Sequence, residues 1–504
     1  KAVHRQGDQL QLDEALASGV ELLKAFCSQS AQQRGEAGGT QDNAAVFGDI
    51  QMSAEDGSES GLQLSIMAPG TASRAGEAVR FGLQNESARL HLGLLAEWER
   101  HAPGSATAAL LQLPGMSEST AAAILDWIDA DGGPRPGGAE AEYYAGQGLP
   151  YEPRNGVPAL LEELLLIRDV ARQDLFGADA NFDLPGEGGG FQTVSPPSTM
   201  GREGDLPWGQ LLTVYSAERN TTSDEKPRIN LNQPDLKKLH AQLTEALERP
   251  WADFVVAYRQ FGPSDEVAAS RPATERPPAR GPKERGRIPR KGPNREDGTE
   301  LDLSVPAKHT IECVLDLLGA AVALPPKPDA EEVEPGAVLP CPLEDDPQAI
   351  SDQLPRLADL TTTTDQPVLY GRVNVNEAPR CVLLGVPGLD PTVVDRILSL
   401  RDTVADAADL ERRNALWLLT ENLVDRSTMK ALWPYVTGGG DVFRAQIVAR
   451  RGDTGRTARA EVVVDATVVP PRQVYWKNTS LLGDAPSAGA TALSASGGRD
   501  QLTQ

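Results

Sequence analysis

The side chains of this 504-residue chain that are best suited to chemistry lie in one loop, over residues 129–142. Asp129, Asp131 and Glu140 stand at positions 1, 3 and 12 of a count like that of an EF-hand, and Glu142 follows. Carboxylate oxygens on a glycine-rich loop suit Ca²⁺, whose coordination is flexible. The match is partial, because Pro134 replaces the glycine expected at position 6. Spacing alone leaves two interpretations open, a calcium site and an acidic solvated loop.

No arrangement of residues for catalysis is found in the sequence. There is no Walker loop, no H-E-x-x-H and no G-x-S-x-G, and the five histidines have neither metal spacing nor a nucleophile beside them. We therefore expect each histidine to be a surface or linker residue. The four cysteines are scattered and form no C-x-x-C, which excludes a zinc ribbon or redox motif. The sequence predicts a protein that is not an enzyme, with a hydrolase of unknown type as the weakest alternative.

The acidic loop follows the first of two diverged copies of one sequence repeat. Each copy is an apolar-Pro-Gly-apolar turn, at residues 113–116 and 386–389, that leads into an amphipathic helix. This pattern is typical of a helix-hairpin-helix, in which glycine allows a tight turn between two short helices. The Asn-rich segment 373–379 precedes the second copy, and residues 229–234 repeat that lead-in without a hairpin.

Helix-hairpin-helix units often bind DNA, but the charge of this chain argues against that function. The formal charge is −24, from 48 basic and 72 acidic residues, whereas nucleic-acid surfaces concentrate Lys and Arg. No Lys or Arg occurs from Leu110 to Gly133. We expect no nucleic-acid partner and read the hairpins as packing units. The alternative is a DNA-binding or DNA-uptake protein that uses Gly115, Gly388 and the basic stretch 271–295.

The basic stretch has two interpretations of its own. Residues 271–295 contain nine basic residues against two acidic ones, interleaved with Pro. They could tether a nucleic acid or an anionic membrane, or serve as a solvated linker. We favour the linker, because aromatic side chains that would stack on bases are missing.

The elements that position these residues follow from hydrophobic periodicity. Residues 8–30 have the apolar stripe of a helix and residues 159–170 read as an apolar helix, whereas residues 60–69, 79–92 and 442–464 alternate as strands do. Strands near both ends and helices between them predict an α+β protein with a large, mainly helical insertion. In chain order we predict an N-terminal helix and first strands (1–92), a helical domain with the first hairpin and the acidic loop (93–182), a linker (183–227), a second helical unit (228–260), a disordered basic insert (261–300), an apolar segment and acidic Pro-rich loop (301–369), the second hairpin unit (370–436), C-terminal strands (437–482) and a disordered tail (483–504).

Short segments around the acidic loop resemble protein K of type II secretion systems, a family of large minor pseudopilins. The most specific are Trp127-Ile128-Asp129-Ala130-Asp131 and Pro134-Arg135-Pro136-Gly137-Gly138-Ala139-Glu140, in that order. They are accompanied by Leu113-Pro114-Gly115, Tyr143-Tyr144, Pro150-Tyr151, Leu161-Glu162-Glu163-Leu164 and Ile167-Arg168. The resemblance covers about 80–182 most strongly, extends to 1–30 and 370–480, and is thin over 183–369.

The resemblance implies a pilin-like fold, in which an N-terminal helix packs on an antiparallel sheet and a helical domain is inserted between strands. It also implies a structural role at the tip of a pseudopilus, beside the I- and J-type minor pseudopilins. Family members bind calcium in the inserted domain, so the resemblance carries a ligand role to Asp129, Asp131, Glu140 and Glu142.

The resemblance further implies a membrane anchor. The family's hydrophobic N-terminal segment is not in this sequence, and no run approaches the roughly 20 apolar residues that cross a bilayer. We expect such a segment to precede Lys1, to place the protein in the inner membrane and to leave the bulk of the chain in the periplasm.

Overall fold

A computed structural model describes residues 2–53, 59–69, 79–177, 206–264, 301–325, 338–343, 346–401, 410–452 and 454–480. The basic stretch 271–295 and the predicted tail 483–504 lie outside the described residues. The chain divides into two compact units, one formed by Lys1–Glu225 with Pro367–Gln504 and the other by Lys226–Gln366. None of the described helices has the length and apolar character needed to span a membrane.

The helices and strands are as follows. The helices are α1 (Ala2–Cys27), α2 (Ala31–Glu36), α3 (Ala44–Phe47), α4 (Leu92–His101), α5 (Ser105–Leu111), α6 (Glu118–Ile128), α7 (Ala141–Gly146), α8 (Arg172–Phe176), α9 (Trp208–Leu211), α10 (Leu236–Ala246), α11 (Arg249–Phe261), α12 (Pro347–Leu360), α13 (Arg380–Gly385), α14 (Pro391–Arg401), α15 (Trp417–Thr420) and α16 (Arg426–Leu432). The strands are β1 (Ile50–Ser53), β2 (Glu59–Pro69), β3 (Val79–Phe81), β4 (Gln84–Asn85), β5 (Leu90–His91), β6 (Leu212–Thr213), β7 (Ala217–Arg219), β8 (Ile229–Asn230), β9 (Ala321–Ala323), β10 (Val338–Pro340), β11 (Thr361–Thr362), β12 (Val368–Tyr370), β13 (Val373–Asn374), β14 (Val436–Thr437), β15 (Val442–Arg451), β16 (Thr457–Asp465) and β17 (Arg472–Asn478).

Seven strands form one antiparallel sheet in the first unit. The order is β1-β2-β15-β16-β17, with β3 paired to β2 and β4 paired to β15. The two longest neighbours, β15 and β16, pair from Val442 opposite Asp465 to Arg450 opposite Thr457. Because side chains alternate between the two faces of a strand, these strands place an apolar row on one face, which includes Phe443, Ile447 and Val462, and mostly polar side chains on the other. The prediction of a mixed helical and antiparallel-sheet protein is confirmed.

Helix α1 packs along one face of this sheet. Leu12, Leu16, Val20 and Leu23 recur at helical spacing and are buried in one core with β2, β15 and β16. A Cβ at position 19 would stand 2.6 Å from Cγ2 of Ile447, so glycine lets the helix lie close to the sheet. Burying each leucine stabilises the fold by about 1.5–3 kcal/mol, which fixes the helix in this position.

The elements of the first unit from β5 to β14 form an insertion between two neighbouring strands of the sheet. The chain leaves the sheet after β4 and returns at β15, and these strands pair with Asn85 opposite Phe443. The side chain of Asn85 also donates to the carbonyl of Gly440 at 3.0 Å. The two ends of the insertion are therefore held side by side.

Two helix-turn-helix units pack against each other within the insertion. Helices α5 and α6 are joined through Gly115, with φ +70°, and α13 and α14 through Gly388, with φ +90°. Such positive φ values suit glycine in a tight turn. Helix α13 lies against α5, where a Cβ on Gly385 would be 3.1 Å from Cα of Ala109. The first helices of the two sequence copies therefore touch backbone to backbone.

The second unit is built around the antiparallel pair α10 and α11. Leu239, Leu243 and Phe254 are fully buried in this unit. Strands β9 and β10 pair antiparallel, and β8 pairs in parallel with β11 directly after helix α12. The Asn-rich lead-in at residues 229–234 thus opens a helical unit of its own.

Three predictions differ from the structure. The described part of the predicted linker 183–227 contains α9, β6 and β7, elements of two to four residues that are too short to show a period. Residues 159–170, which we read as an apolar helix, form a 3-10 helix at Leu161–Leu166. His91 is 7% exposed rather than a surface residue. Its place in a two-residue strand gave no pattern that would mark it as buried.

Candidate functional site

Helix α6 directly precedes the acidic loop and carries the aspartate to which the loop backbone is hydrogen-bonded. It begins at a Ser117 cap, whose hydroxyl accepts the Thr120 N–H at 3.1 Å. All its residues from Thr120 to Ile128 are buried, including the carboxylate of Asp126. A buried carboxylate is stable only when it is paired and hydrogen-bonded, so its partners decide the conformation of the loop.

Asp126 organises the loop that follows the helix. It accepts the backbone N–H of Arg135 at 3.2 Å, the N–H of Ala139 at 2.8 Å and the Arg135 guanidinium at 2.9 Å. The same guanidinium also donates to Asp129. One buried aspartate therefore holds both ends of the segment 135–139.

The two glycines of this segment are required by that arrangement. Gly137 has φ +77°, a conformation that side chains disfavour. A Cβ on Gly138 would stand 1.9 Å from Oδ2 of Asp126, which excludes any other residue without a shift of the loop. Arg168 covers the pair, donating to the carbonyls of Gly137 at 3.3 Å and Gly138 at 3.1 Å. The Pro-Arg-Pro-Gly-Gly-Ala-Glu sequence thus encodes a loop wrapped around Asp126.

The structure places the four predicted ligands in different surroundings. Asp129 ends α6 and is partly buried, and Glu140 precedes α7 and is 5% exposed. Asp131 is exposed and accepts the N–H of Gly133 at 2.9 Å. Glu142 is exposed in the first turn of α7. Within the described ranges, no three His, Cys, Asp or Glu side chains are arranged so that they could hold a metal ion.

Two buried oxygens in this loop lack a hydrogen-bond partner among the described residues. They are Oδ1 of Asp129 and Oε1 of Glu140. Burial raises the pKa of the Glu140 carboxyl, and the charges of Asp126, Asp129 and Asp131 raise it further. Burial also raises the pKa of Asp129, against the hydrogen bond and charge of Arg135, which lower it. The loop therefore concentrates negative charge that Arg135 compensates only in part.

An aromatic cluster supports the loop from the other side of α6. The ring of Trp127 stands edge-on to Tyr144 at 5.6 Å and to Tyr151 at 6.2 Å. Its indole N–H donates to Glu163 at 3.0 Å, and Glu163 also pairs with Arg154. Edge-on rings with a satisfied N–H pack favourably, so α6 and the following segment form one rigid body.

The insertion is joined to the sheet through Glu162. Its carboxylate accepts the Tyr475 hydroxyl at 2.5 Å and the Lys477 ammonium at 2.9 Å, both from β17. Burial alone raises the pKa of Glu162, but these two hydrogen bonds outweigh it and leave the pKa lowered. The acidic loop is thus part of a body that is tied to the edge of the sheet.

Sequence reasoning missed the residues that hold this site together. It assigns no role to Asp126, and it includes Arg135 and Arg168 only as parts of the segments that resemble protein K. A signal was present, since Asp126 falls within an otherwise apolar run from Ala121 to Ile128. A charged residue in such a run needs a partner, and the loop supplies Arg135.

One comparison with known proteins falls on the residues of this site. Residues 88–175 match the family model described as "Type II secretion system (T2SS), protein K". No curated protein matches the chain. Among solved structures, a chain in the crystal structure of the GspK-GspI-GspJ complex from the enterotoxigenic Escherichia coli type 2 secretion system is 10% identical, with a TM-score of 0.33 over 94% of this chain and 99% of that one. A TM-score at that level supports no argument about this chain. The family model alone covers the hairpin, the acidic loop and the aromatic cluster, so residues 88–175 form a domain of the type II secretion protein K family.

Proposed function

We propose that the protein is a minor pseudopilin at the tip of a type II secretion pseudopilus and takes part in protein export. The observation that carries this proposal is the position of the protein K domain. It lies in an insertion between two paired strands of an antiparallel sheet, and a long N-terminal helix packs on that sheet. This arrangement is what a pilin-like protein with an inserted helical domain requires.

The N-terminal helix offers a surface for assembly. Helix α1 buries one apolar stripe on the sheet, yet Leu10 is 63% and Leu22 45% exposed. Exposed leucines on a helix suit packing against the helices of neighbouring subunits. The proposed partners are the I- and J-type minor pseudopilins. A hydrophobic segment before Lys1 would anchor the helix in the inner membrane, with the bulk of the chain in the periplasm.

This role is tested by co-purification of the chain with soluble I- and J-type pseudopilins from the same organism. We expect a stable complex, and we expect Leu10→Asp with Leu22→Asp to abolish it and to block secretion in cells. Leu149→Asp is the matched control, because Leu149 is an exposed leucine of the inserted domain. Failure of the unaltered chain to form the complex would remove the proposal.

We further propose that the acidic loop binds Ca²⁺. Asp129 and Glu140 fit the ion, because each has a buried oxygen without a hydrogen-bond partner among the described residues. Asp131 and Glu142 supply further carboxylates from exposed positions. A bound cation would offset the repulsion that raises the pKa of Glu140, and would compete with Arg135 for Asp129. Its role would be structural, to hold the loop against α6.

Thermal unfolding tests the calcium proposal. Adding EDTA is expected to lower the Tm of the unaltered chain. The Asp129→Ala variant is expected to have a lower Tm than the unaltered chain, and adding EDTA should not change the Tm of the variant. Glu152→Ala, at an exposed acidic residue of the same domain, should keep the full response to calcium. An unchanged Tm with EDTA in the unaltered protein would contradict the proposal.

The DNA-binding alternative has no observation in its favour. The first hairpin turn is covered by Trp208, whose indole N–H donates to the Pro114 carbonyl at 2.8 Å. Glu118 follows the first turn and Asp390 follows the second, and the basic stretch 271–295 lies outside the described residues. Salt-dependent binding of duplex DNA to the purified chain would revive this alternative.

A further inference from the structure

Three segments of the chain have their two ends paired in the same way. Each opens with a two-residue strand and ends with a two-residue strand that follows a helix, and the two strands pair in parallel: β5 with β6, β8 with β11, and β13 with β14. The second residue of the opening strand always lies opposite a threonine: His91 opposite Thr213, Asn230 opposite Thr362, and Asn374 opposite Thr437. We call the segments 90–213, 229–362 and 373–437 the first, second and third modules, and each strand pair its closure.

The threonines have the same local bond in all three closures. The hydroxyl oxygen accepts the backbone N–H two residues ahead, at 3.0 Å for Thr213, 3.4 Å for Thr362 and 3.4 Å for Thr437. In the first and third modules the hydroxyl also donates to a glutamate, Glu86 and Glu218 respectively. The similarity therefore extends from the backbone pairing to the side chains.

Two asparagines lock the closure of the second module. Oδ1 of Asn230 accepts the N–H of Asn232 at 2.8 Å. The side-chain amide of Asn232 then donates at 3.0 Å to the carbonyl of Thr363, the residue after the closing strand. One asparagine shapes the turn and the other ties it to the opposite strand.

The third module repeats both bonds. Oδ1 of Asn374 accepts the N–H of Asn376 at 3.0 Å, and the Asn376 amide donates at 2.7 Å to the carbonyl of Gly438, again the residue after the closing strand. We call this pair of bonds the asparagine clamp. Neither bond involves a group that titrates between pH 3 and 9.

In the first module a single histidine takes the place of the first asparagine and repeats its bond. Nδ1 of His91 accepts the N–H of Gly93 at 3.0 Å. The backbone of Val214, the residue after the closing strand, acts on the same ring and raises its pKa. Gly93 takes the place of the second asparagine, and a Cβ there would stand 2.9 Å from Cε1 of His91. The imidazole ring thus occupies the space that a side chain at position 93 would need.

We propose that this substitution makes the closure of the first module a proton-sensitive joint, while the asparagine clamp of the second module does not respond to pH. Protonation of Nδ1 removes the acceptor of the Gly93 N–H and sets two N–H groups against each other. It also places a positive charge on a buried ring. The segment that the joint closes contains the protein K domain, so acid would loosen that domain where it joins the rest of its unit.

The surroundings of the ring offer little to stabilise the protonated form. Glu86 is the acidic group whose charge acts on the ring, and it is already paired with Arg444 and Arg89. Apolar side chains of Val157 and Leu94 stand beside Gly93 and Gly371, the two glycines that approach the histidine. Burial accordingly lowers the pKa of His91 to about 4, despite the hydrogen bond to Val214 and the charge of Glu86, which raise it.

Hydrogen exchange followed by mass spectrometry on the whole chain tests the joint. The unfolded-state pKa of about 6.5 and the folded value of about 4 imply that the first closure weakens on the order of 100-fold from about pH 7 to about pH 4. After correction for the intrinsic exchange rate, peptides covering residues 90–94 should lose protection by that factor. Peptides covering 230–233, from the second closure, are the internal control and should keep their protection. An equal loss in these two closures would overturn the proposal.

A double variant transplants the clamp. His91→Asn with Gly93→Asn is expected to close the first module with no acid-specific loss of protection. The new side chain meets Val157, which is 45% exposed and can shift. If the double variant does not fold, titration of His91 by NMR in the unaltered protein decides the question. A ring that titrates at or above pH 6 would refute the joint, and so would a double variant with unchanged acid sensitivity.

Discussion

Replacing Asp126 by alanine should unfold the acidic loop from within. The carboxylate is fully buried and accepts hydrogen bonds from the backbone of Arg135 and Ala139 and from the Arg135 guanidinium. Its removal leaves the buried N–H of Ala139 without an acceptor, at about 1–3 kcal/mol. It also removes the hydrogen bond between the carboxylate and the Arg135 guanidinium, and a hydrogen bond to a charged group contributes about 1.5–3 kcal/mol, although Asp129 stays as a second partner of Arg135. The two costs overlap, so we expect the free energy of unfolding to fall by about 4 kcal/mol.

Urea unfolding at neutral pH, followed by tryptophan fluorescence, measures this loss. Trp127, one of seven tryptophans, is the next residue and packs against Tyr144, so part of the fluorescence signal reports on the loop. The matched control is Asp395→Ala, which breaks an exposed pair with Arg380 and should cost about 0–1 kcal/mol. If the two variants lose the same free energy, Asp126 does not organise the loop and the reasoning fails.

Two further outcomes test how the insertion and the helix are fixed to the sheet. Gly19→Val is expected to lower the free energy of unfolding by about 1–3 kcal/mol, because a Cβ there would stand 2.6 Å from a methyl group of β15. Gly7→Val is the control, because a Cβ at position 7 would have nothing within 4 Å. Equal losses of free energy in the two variants would argue against close packing of α1 on the sheet. Glu162→Gln should cost about 1 kcal/mol at neutral pH by weakening the bonds to Tyr475 and Lys477. Because the folded pKa of Glu162 is lowered, its contribution is complete above the unfolded value of about 4.3 and is lost as pH falls through the folded value. The difference between variant and unaltered protein should therefore disappear in strong acid, and a difference independent of pH would contradict the assignment.

The sequence predicted those parts of the fold that rest on periodicity. The apolar stripe of α1 is buried against the sheet, as its helical spacing predicts; it consists of Leu12, Leu16, Val20 and Leu23. The alternation around residues 442–464 corresponds to the β15–β16 hairpin. These patterns survive because each element buries one face on the sheet. The two-residue strands β5 and β6 carry no such pattern. They form only because distant segments meet, and that information is not local.

The acidic loop shows the same limit at the scale of one site. Its carboxylates could be counted along the chain, but the buried aspartate that shapes the loop lies on the helix before it. The repeated lead-in was visible where the clamp is Asn-x-Asn. The equivalent position in the first module was not visible in the sequence, because His91 and Gly93 stand in place of the two asparagines. The residue types differ, but His91 still accepts the N–H two residues ahead.

The pairing of β4 with β15 has a consequence for how such a protein can be cut and joined. In topological terms residues 86–441 are the loop of a β-hairpin, since Asn85 and Phe443 lie directly opposite each other. Closing a flexible loop costs only about 0.6 kcal/mol for each doubling of its length, and a loop whose ends are already bonded costs less. If a short turn replaces residues 86–441 and joins Asn85 to Val442, the remaining small helix-and-sheet protein should therefore fold without the inserted helices. The same junction could accept a foreign domain whose ends lie one strand spacing apart.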